Sequence, residues 1–267
     1  MKTKRIAFLG GGNMAEAILG GLLSGGLSME QNIVAADPAA ERRTLLADRY
    51  GIAATADNAA AVRGADVVVL AVKPAQAAEA LASAAGAWTD RQLLVSICAG
   101  LPTAALERQA PARVVRAMPN LPALVRRGVT AICGGARATA ADLDLAEKLF
   151  SGVGAVARLR EGLMDAVTAL SGSGPGYVFA FIEALEATGA AMGIDAAAAR
   201  KMAIETVRGA AELAAQTGED PAELRRRVSS KGGTTLAGLA AMEAGGFTAA
   251  VAAGMQAARA RAAEMAR

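Results

Sequence analysis

The run Ile6-Ala7-Phe8-Leu9-Gly10-Gly11-Gly12-Asn13-Met14-Ala15 sets three glycines between a short apolar stretch and a helical pattern. In this spacing Gly10 permits a tight turn, Gly12 lets the backbone approach a pyrophosphate, and the small Ala15 lets helix and strand pack closely. A helix starting near Asn13 and Met14 turns its first amides toward the phosphates of a dinucleotide. The bland alternative is a tight strand-to-helix connection. A second strand ending at Ala35-Ala36-Asp37-Pro38 supplies the context that a dinucleotide site requires. There Asp37 can accept from a ribose 2′-hydroxyl, while Arg42 and Arg43 can instead neutralise a 2′-phosphate. The residues alone leave that choice open, since Asp37 also suits a helix cap.

A second segment with chemical potential lies far from the first. Ser229-Ser230-Lys231-Gly232-Gly233-Thr234-Thr235 joins two adjacent glycines to four hydroxyl side chains, ahead of a helix from about Leu236. Exposed amides of Gly233 and Thr234 at a helix N-terminus make a pocket for a carboxylate, or else the segment is an ordinary helix cap. The chain has no histidine and two cysteines, which removes the usual zinc constellations and a Ser-His-Asp triad. No metal site is expected.

The elements that must carry these segments follow from hydrophobic patterning. Short β-branched runs at residues 6–9, 33–36, 67–71, 93–97 and 114–117 alternate with helical patterns, and 128–133 and 155–158 add strands at the edge. Val67-Val68-Val69-Leu70-Ala71 shows no alternation, as expected of a strand buried on both faces. The expected fold class is α/β: an N-terminal Rossmann-type, doubly wound, mainly parallel sheet followed by an all-helical C-terminal domain. Residues 1–160 form the dinucleotide domain and 161–267 the helical domain. Helices are expected at 176–192, 195–216, 220–228, 235–244 and 248–267. Asp195 and Asp220 are expected as N-caps, Pro221 at a first helical position, and Gly193 and Gly218 as stops.

Composition bounds the rest. The hydrophobic fraction is 54% but aromatics are only 3%, which favours closely packed alanine-rich helices. A net charge of +3 with interspersed signs does not argue for nucleic acid, and Arg225-Arg226-Arg227 reads as a solvated helix end. Cys98 and Cys133 sit in apolar runs as buried thiols of a reducing compartment. No signal-peptide core or membrane span is expected, and the reading is cytoplasmic. Helices with so few large side chains bury little alone, so a homodimer or higher homo-oligomer through the helical domain is expected.

Beyond the two glycine segments, Ala71-Val72-Lys73-Pro74, Ser96-Ile97-Cys98-Ala99-Gly100, Arg116-Ala117-Met118-Pro119-Asn120 and Asp165-Ala166-Val167-Thr168-Ala169-Leu170-Ser171-Gly172-Ser173-Gly174-Pro175 stand in a fixed order. On these motifs the chain resembles pyrroline-5-carboxylate reductases over essentially its whole length. The glycine loop is common to many dehydrogenases, whereas the last block and the 228–235 segment are specific. The resemblance implies hydride transfer to the C=N carbon of a cyclic imine, giving L-proline. Ala71, Val72, Lys73 and Pro74, with Cys98, Ala99 and Gly100, fall on the ligand-binding edge of the sheet. By resemblance they line the nicotinamide half of the cofactor, and Asn58 contacts its adenosine side. Thr235 holds the imine nitrogen, while Ser230, Gly232, Gly233 and Thr234 hold the carboxylate. The cofactor is read as NADPH, with NADH the alternative.

Two positions depart from the family pattern. Lys231 stands where many members have proline and adds attraction for a carboxylate, while Arg227 stands where many have asparagine and leaves one polar contact open. A β-hydroxyacid dehydrogenase is the rival enzyme reading, but it needs a lysine that Ser173-Gly174-Pro175-Gly176-Tyr177 lacks. A non-catalytic dinucleotide sensor is the third, and it predicts a degraded substrate segment, whereas Gly232 to Thr235 is intact.

Overall fold

The computed structural model describes residues 1–265 and divides into two compact units. The first holds Met1–Ser173 and the end of the last helix from Ala258; the second is Gly174–Ala257.

In the first unit the strands are β1 (Ile6–Leu9), β2 (Ile33–Ala36), β3 (Ala53–Thr55), β4 (Val67–Leu70), β5 (Leu93–Ser96), β6 (Arg113–Met118), β7 (Gly128–Gly134) and β8 (Gly154–Arg158). They form one eight-stranded sheet in the order β3-β2-β1-β4-β5-β6-β7-β8. All neighbours are parallel except β6 and β7. The helices are α1 (Asn13–Ser24), α2 (Ala40–Tyr50), α3 (Asn58–Val62), α4 (Ala77–Ala82), α5 (Thr103–Glu107), α6 (Ala140–Ser151) and α7 (Met164–Val167). Strand residues alternate between two cores. Ile6 and Phe8 pack with Ile18, Leu19, Leu22 and Phe150 from α1 and α6, while Ala7 and Leu9 pack with Val62, Leu81 and Leu106 from α3, α4 and α5. Burial on both faces is why β4 reads as an unbroken apolar run.

The expected strands are present, and β3 is one the sequence pattern did not announce. It has only three residues, pairs with β2 alone and is not fully buried on either side. Its Thr55 carbonyl accepts from the Asp37 amide at 3.0 Å, so it supports the end of β2.

The segment after β8 stays with the first unit although its composition is helical. Met164 and Val167 pack on Ala131 and Cys133 of β7. The Glu161 carboxylate accepts from the Thr103 amide and hydroxyl, both at 2.7 Å. A π-helical turn follows over Thr168–Gly172, with the Ser173 amide donating to the Thr168 carbonyl at 2.8 Å. Buried Asn120 ties this turn down. Its Nδ2 donates to the Ser171 carbonyl at 3.0 Å and its Oδ1 accepts from the Val129 amide at 2.9 Å. The contact division therefore falls at Ser173, later than the change in composition near 160.

The second unit contains α8 (Gly174–Ala191), α9 (Ala196–Thr217), α10 (Pro221–Arg227), α11 (Thr234–Ala244) and the start of α12 (Phe247–Met265). The helix expected over 248–267 is this α12; residues 266–267 lie outside the described residues. The capping signals act as read. Asp195 accepts from the Ala197 and Ala198 amides, Asp220 accepts from the Ala222 amide with Pro221 at N1, and Gly218 closes α9 at φ +66°. Among the described residues of this unit only Ala199 and Ala203 are buried apolar side chains, while Phe179, Met192 and Met202 are 51%, 78% and 57% exposed. No single helix among the described residues is long and apolar enough to cross a membrane.

Candidate functional site

The glycine loop is shaped by how closely β1 and β4 end together. Gly10 has φ +97°, and a Cβ there would lie 2.6 Å from the Ala71 carbonyl oxygen. Glycine is required on both counts. Gly10 and Ala71 are also held by ladder-like bonds, Gly10 N to Ala36 O and Ala71 N to Leu9 O, each 2.8 Å.

Gly11 is gripped at both ends of its backbone. Its amide donates to Asp37 Oδ2 at 2.7 Å, and its carbonyl accepts from Arg42, with Nε at 2.7 Å and Nη2 as a second donor. Arg42 Nη2 also donates to Glu16 Oε2 at 2.7 Å, and Glu16 Oε1 accepts from Arg49 and Tyr50. Burial alone would raise the Glu16 pKa, but the hydrogen bonds from Arg42 and Tyr50 outweigh it and hold the carboxyl below its ordinary value. Gly12 is different. It caps α1 in an extended conformation, and a Cβ there would meet nothing within 4 Å. The space beside it is what a pyrophosphate would fill, next to the first-turn amides of Asn13 and Met14, which have no earlier helical carbonyl to donate to.

This loop opens on a cavity of about 530 Å³. Gly10, Gly12, Ala36 and Asp37 line one part of it, and Asn58, Ala71, Val72 and Lys73 line the rest of the expected set. Asn58 begins α3 and donates to Ser83 Oγ at 2.9 Å. Asn13, Met14, Pro74, Cys98, Ala99 and Gly100 do not line it. Cys98 is 2% exposed, with its thiol directed to the Val72 carbonyl at 3.2 Å, and burial pushes its pKa up. It packs against the end of β4, in surroundings that favour the neutral thiol. Pro74 opens a 3-10 turn, and Gly100 sits at φ +77° in the loop after β5. Sequence reading missed Gln76, Glu79, Ala80 and Ser83, which also line the cavity. Their helical spacing directly after Lys73-Pro74 was a usable signal of one face turned toward the ligand edge.

The second unit builds the other segment. Gly232 takes φ +75°, and Gly233 caps α11 without any side-chain hydrogen bond. A Cβ on Gly233 would lie 2.5 Å from Ser230 Oγ, so any side chain there would force the Ser230 hydroxyl to turn away. The Gly233 amide donates to the Ser230 carbonyl at 2.9 Å and is thus committed to the turn. The uncommitted helix start is one residue later than the sequence suggested, at the amides of Thr234 and Thr235. Ser230, Lys231, Thr234 and Thr235 are all exposed around it. Arg227 is paired with Glu219 at 2.7 Å.

A doubly wound sheet whose first loop leaves open space beside Gly12, with a cavity at the carboxyl ends of β1, β2 and β4, is the architecture of a dinucleotide-binding protein. Residues 161–265 match the family described as pyrroline-5-carboxylate reductase dimerisation, and residues 5–100 match NADP oxidoreductase coenzyme F420-dependent. The pyrroline-5-carboxylate reductase of Pseudomonas aeruginosa is 45% identical, with 100% of this chain and 98% of that protein covered. That of Methanosarcina acetivorans is 39% identical over 94% and 93%. The structure of the Coxiella burnetii enzyme superposes with a TM-score of 0.95 at 33% identity, covering 100% of both chains. That of Plasmodium falciparum, solved with NADP bound, gives 0.89 at 28% identity, again covering 100% of both. The chain belongs to the pyrroline-5-carboxylate reductase family and is an oxidoreductase that uses NAD(P)H. Its match to a dimerisation family supports self-association.

Gly12→Ala and Gly10→Ala separate binding from folding. With open space and φ −67° at Gly12, the Gly12→Ala protein keeps its stability to within about 1 kcal/mol, yet its dinucleotide Kd rises about tenfold or more. Gly10→Ala loses both. Urea unfolding and calorimetric titration with NADPH distinguish them; equal affinity in Gly12→Ala would reject the pyrophosphate position.

Proposed function

We propose that this protein reduces 1-pyrroline-5-carboxylate to L-proline, the final step of proline synthesis. Residues 1–173 hold the cofactor, and the helices that follow carry substrate binding and dimerisation. The observation that carries the substrate assignment is the start of α11, a helix of eleven residues that is preceded by Gly232 and Gly233 and has no side chain capping it. Such a terminus, with its amides facing outward and Lys231 beside it, fits a small carboxylate.

The bound reduced nicotinamide supplies the hydride. The chain's residues fix the acceptor. Backbone amides at Thr234 and Thr235, with Ser230, Gly232 and Gly233 shaping the turn, hold the carboxylate, and Thr235 Oγ holds the imine nitrogen. A protonated imine is already electrophilic, so positioning replaces the missing histidine acid. As the C=N carbon takes the hydride, its π electrons move to nitrogen and leave a secondary amine.

Self-association through the helical domain has its own support. A groove of about 1100 Å³ in the second unit is lined by Leu236, Leu239, Met242 and Phe247, flanked by Glu223 and Arg225. Side chains of this kind are stable in water when another copy of the chain covers them. The partners are therefore a small-molecule substrate and a second copy of the chain, working in the cytoplasm with both cysteines reduced.

Thr235→Ala is expected to lower kcat/KM for 1-pyrroline-5-carboxylate by about 10- to 100-fold, with dinucleotide Kd unchanged. Nicotinamide absorbance during turnover measures this, and full activity in the variant would remove Thr235 from the site. Light scattering at micromolar concentration should give the mass of at least two chains; a single-chain mass would sink the assembly proposal.

A further inference from the structure

The end of β2 carries the information on which dinucleotide fits. An acidic residue there accepts from the adenosine ribose 2′-hydroxyl, whereas a 2′-phosphate needs a nearby cation. Asp37 follows β2, lines the 530 Å³ cavity and is locked in place. Oδ2 accepts from the Gly11 amide at 2.7 Å and Oδ1 from the Ala39 amide at 2.9 Å. The carboxylate cannot swing aside without releasing the loop.

Of the two arginines that the sequence offers to a phosphate, Arg42 is engaged elsewhere and Arg43 is bound to the backbone through Nη1 alone. Arg42 binds the Gly11 carbonyl and Glu16, which also binds Arg49. Arg43 Nη1 donates to the Asp37 carbonyl at 2.9 Å and to the Pro38 carbonyl at 2.8 Å. The remaining charged groups on the cavity wall are Glu79 and Lys73. Lys73 follows β4, and β4 and β2 flank β1 on opposite sides, which separates their ends by about 10 Å at ordinary strand spacing. That is about a Debye length, so Lys73 screens little of the charge at Asp37. Glu79 adds to it.

Resting on the reading that Gly10 to Gly12 cradle a dinucleotide, we infer that Asp37 is a specificity-determining residue that makes this chain bind NADH in preference to NADPH. Its carboxylate accepts a hydrogen bond from the ribose 2′-hydroxyl and repels a phosphate in the same place. NADPH is still accepted, at lower affinity.

Calorimetric titration of the whole protein, without substrate, tests this directly. NADH is expected to bind at least about tenfold more tightly than NADPH, as one unpaired like-charge contact would require. 2′-Deoxy-NADH should lose about tenfold relative to NADH, a comparison that needs no variant. Asp37→Asn keeps an oxygen acceptor for the Gly11 amide while removing the charge, so NADPH should gain and the ratio should approach one. Arg43→Ala should leave the ratio unchanged. Equal or tighter NADPH binding by the unaltered protein overturns the inference, as does selective loss of NADPH binding in Arg43→Ala, and the dinucleotide reading then survives. Binding of neither nucleotide overturns both.

Discussion

The first unit depends on the fixing of one peptide. Gly11 is held through its amide by Asp37 and through its carbonyl by Arg42, so the segment running from β2 into α2 decides the loop's conformation. Once Gly11 is fixed, Gly10 is pressed against Ala71 and Gly12 is left beside open space. The same loop thus contains one glycine needed for packing and one needed for ligand approach. Glu16 extends the arrangement. It pairs with both Arg42 and Arg49 from within α1, so the guanidinium that holds the loop is itself held. Charged groups near a phosphate site invite assignment to the phosphate, but Arg42 is committed to the Gly11 carbonyl and Glu16.

The second unit poses the opposite constraint. The first buries a double core around its sheet, while the helices after Ser173 present phenylalanine, leucine and methionine to solvent. An ordered structure of that kind needs a second hydrophobic surface to offset the entropy of ordering it. A second copy of the chain is the surface proposed above for this role. The family match over residues 161–265 agrees with it.

Much of this was legible in the sequence, for a physical reason. Elements buried on both faces, such as β4, and helices with side-chain caps, such as α9 and α10, carry their signals locally. β3 did not, because three small residues pairing with a single neighbour leave no pattern. The residue types at the end of β2 were visible, but not their partners. Arg42 meets Glu16 only because α1 and α2 pack side by side, a long-range fact. Likewise the helical composition after residue 160 concealed that Met164 and Val167 pack on β7. At the substrate segment the glycine pair was readable, whereas the commitment of the Gly233 amide to Ser230 required the turn itself.

The central claim is that a cofactor held by the glycine loop delivers hydride to a cyclic imine. Turnover of 1-pyrroline-5-carboxylate with a reduced nicotinamide dinucleotide deuterated at the transferring C4 position tests it most directly, by mass spectrometry and NMR of the product. The expected product is L-proline carrying one deuterium at C5, the carbon that was doubly bonded to nitrogen. Proline without deuterium, or nicotinamide oxidation without proline, would contradict it.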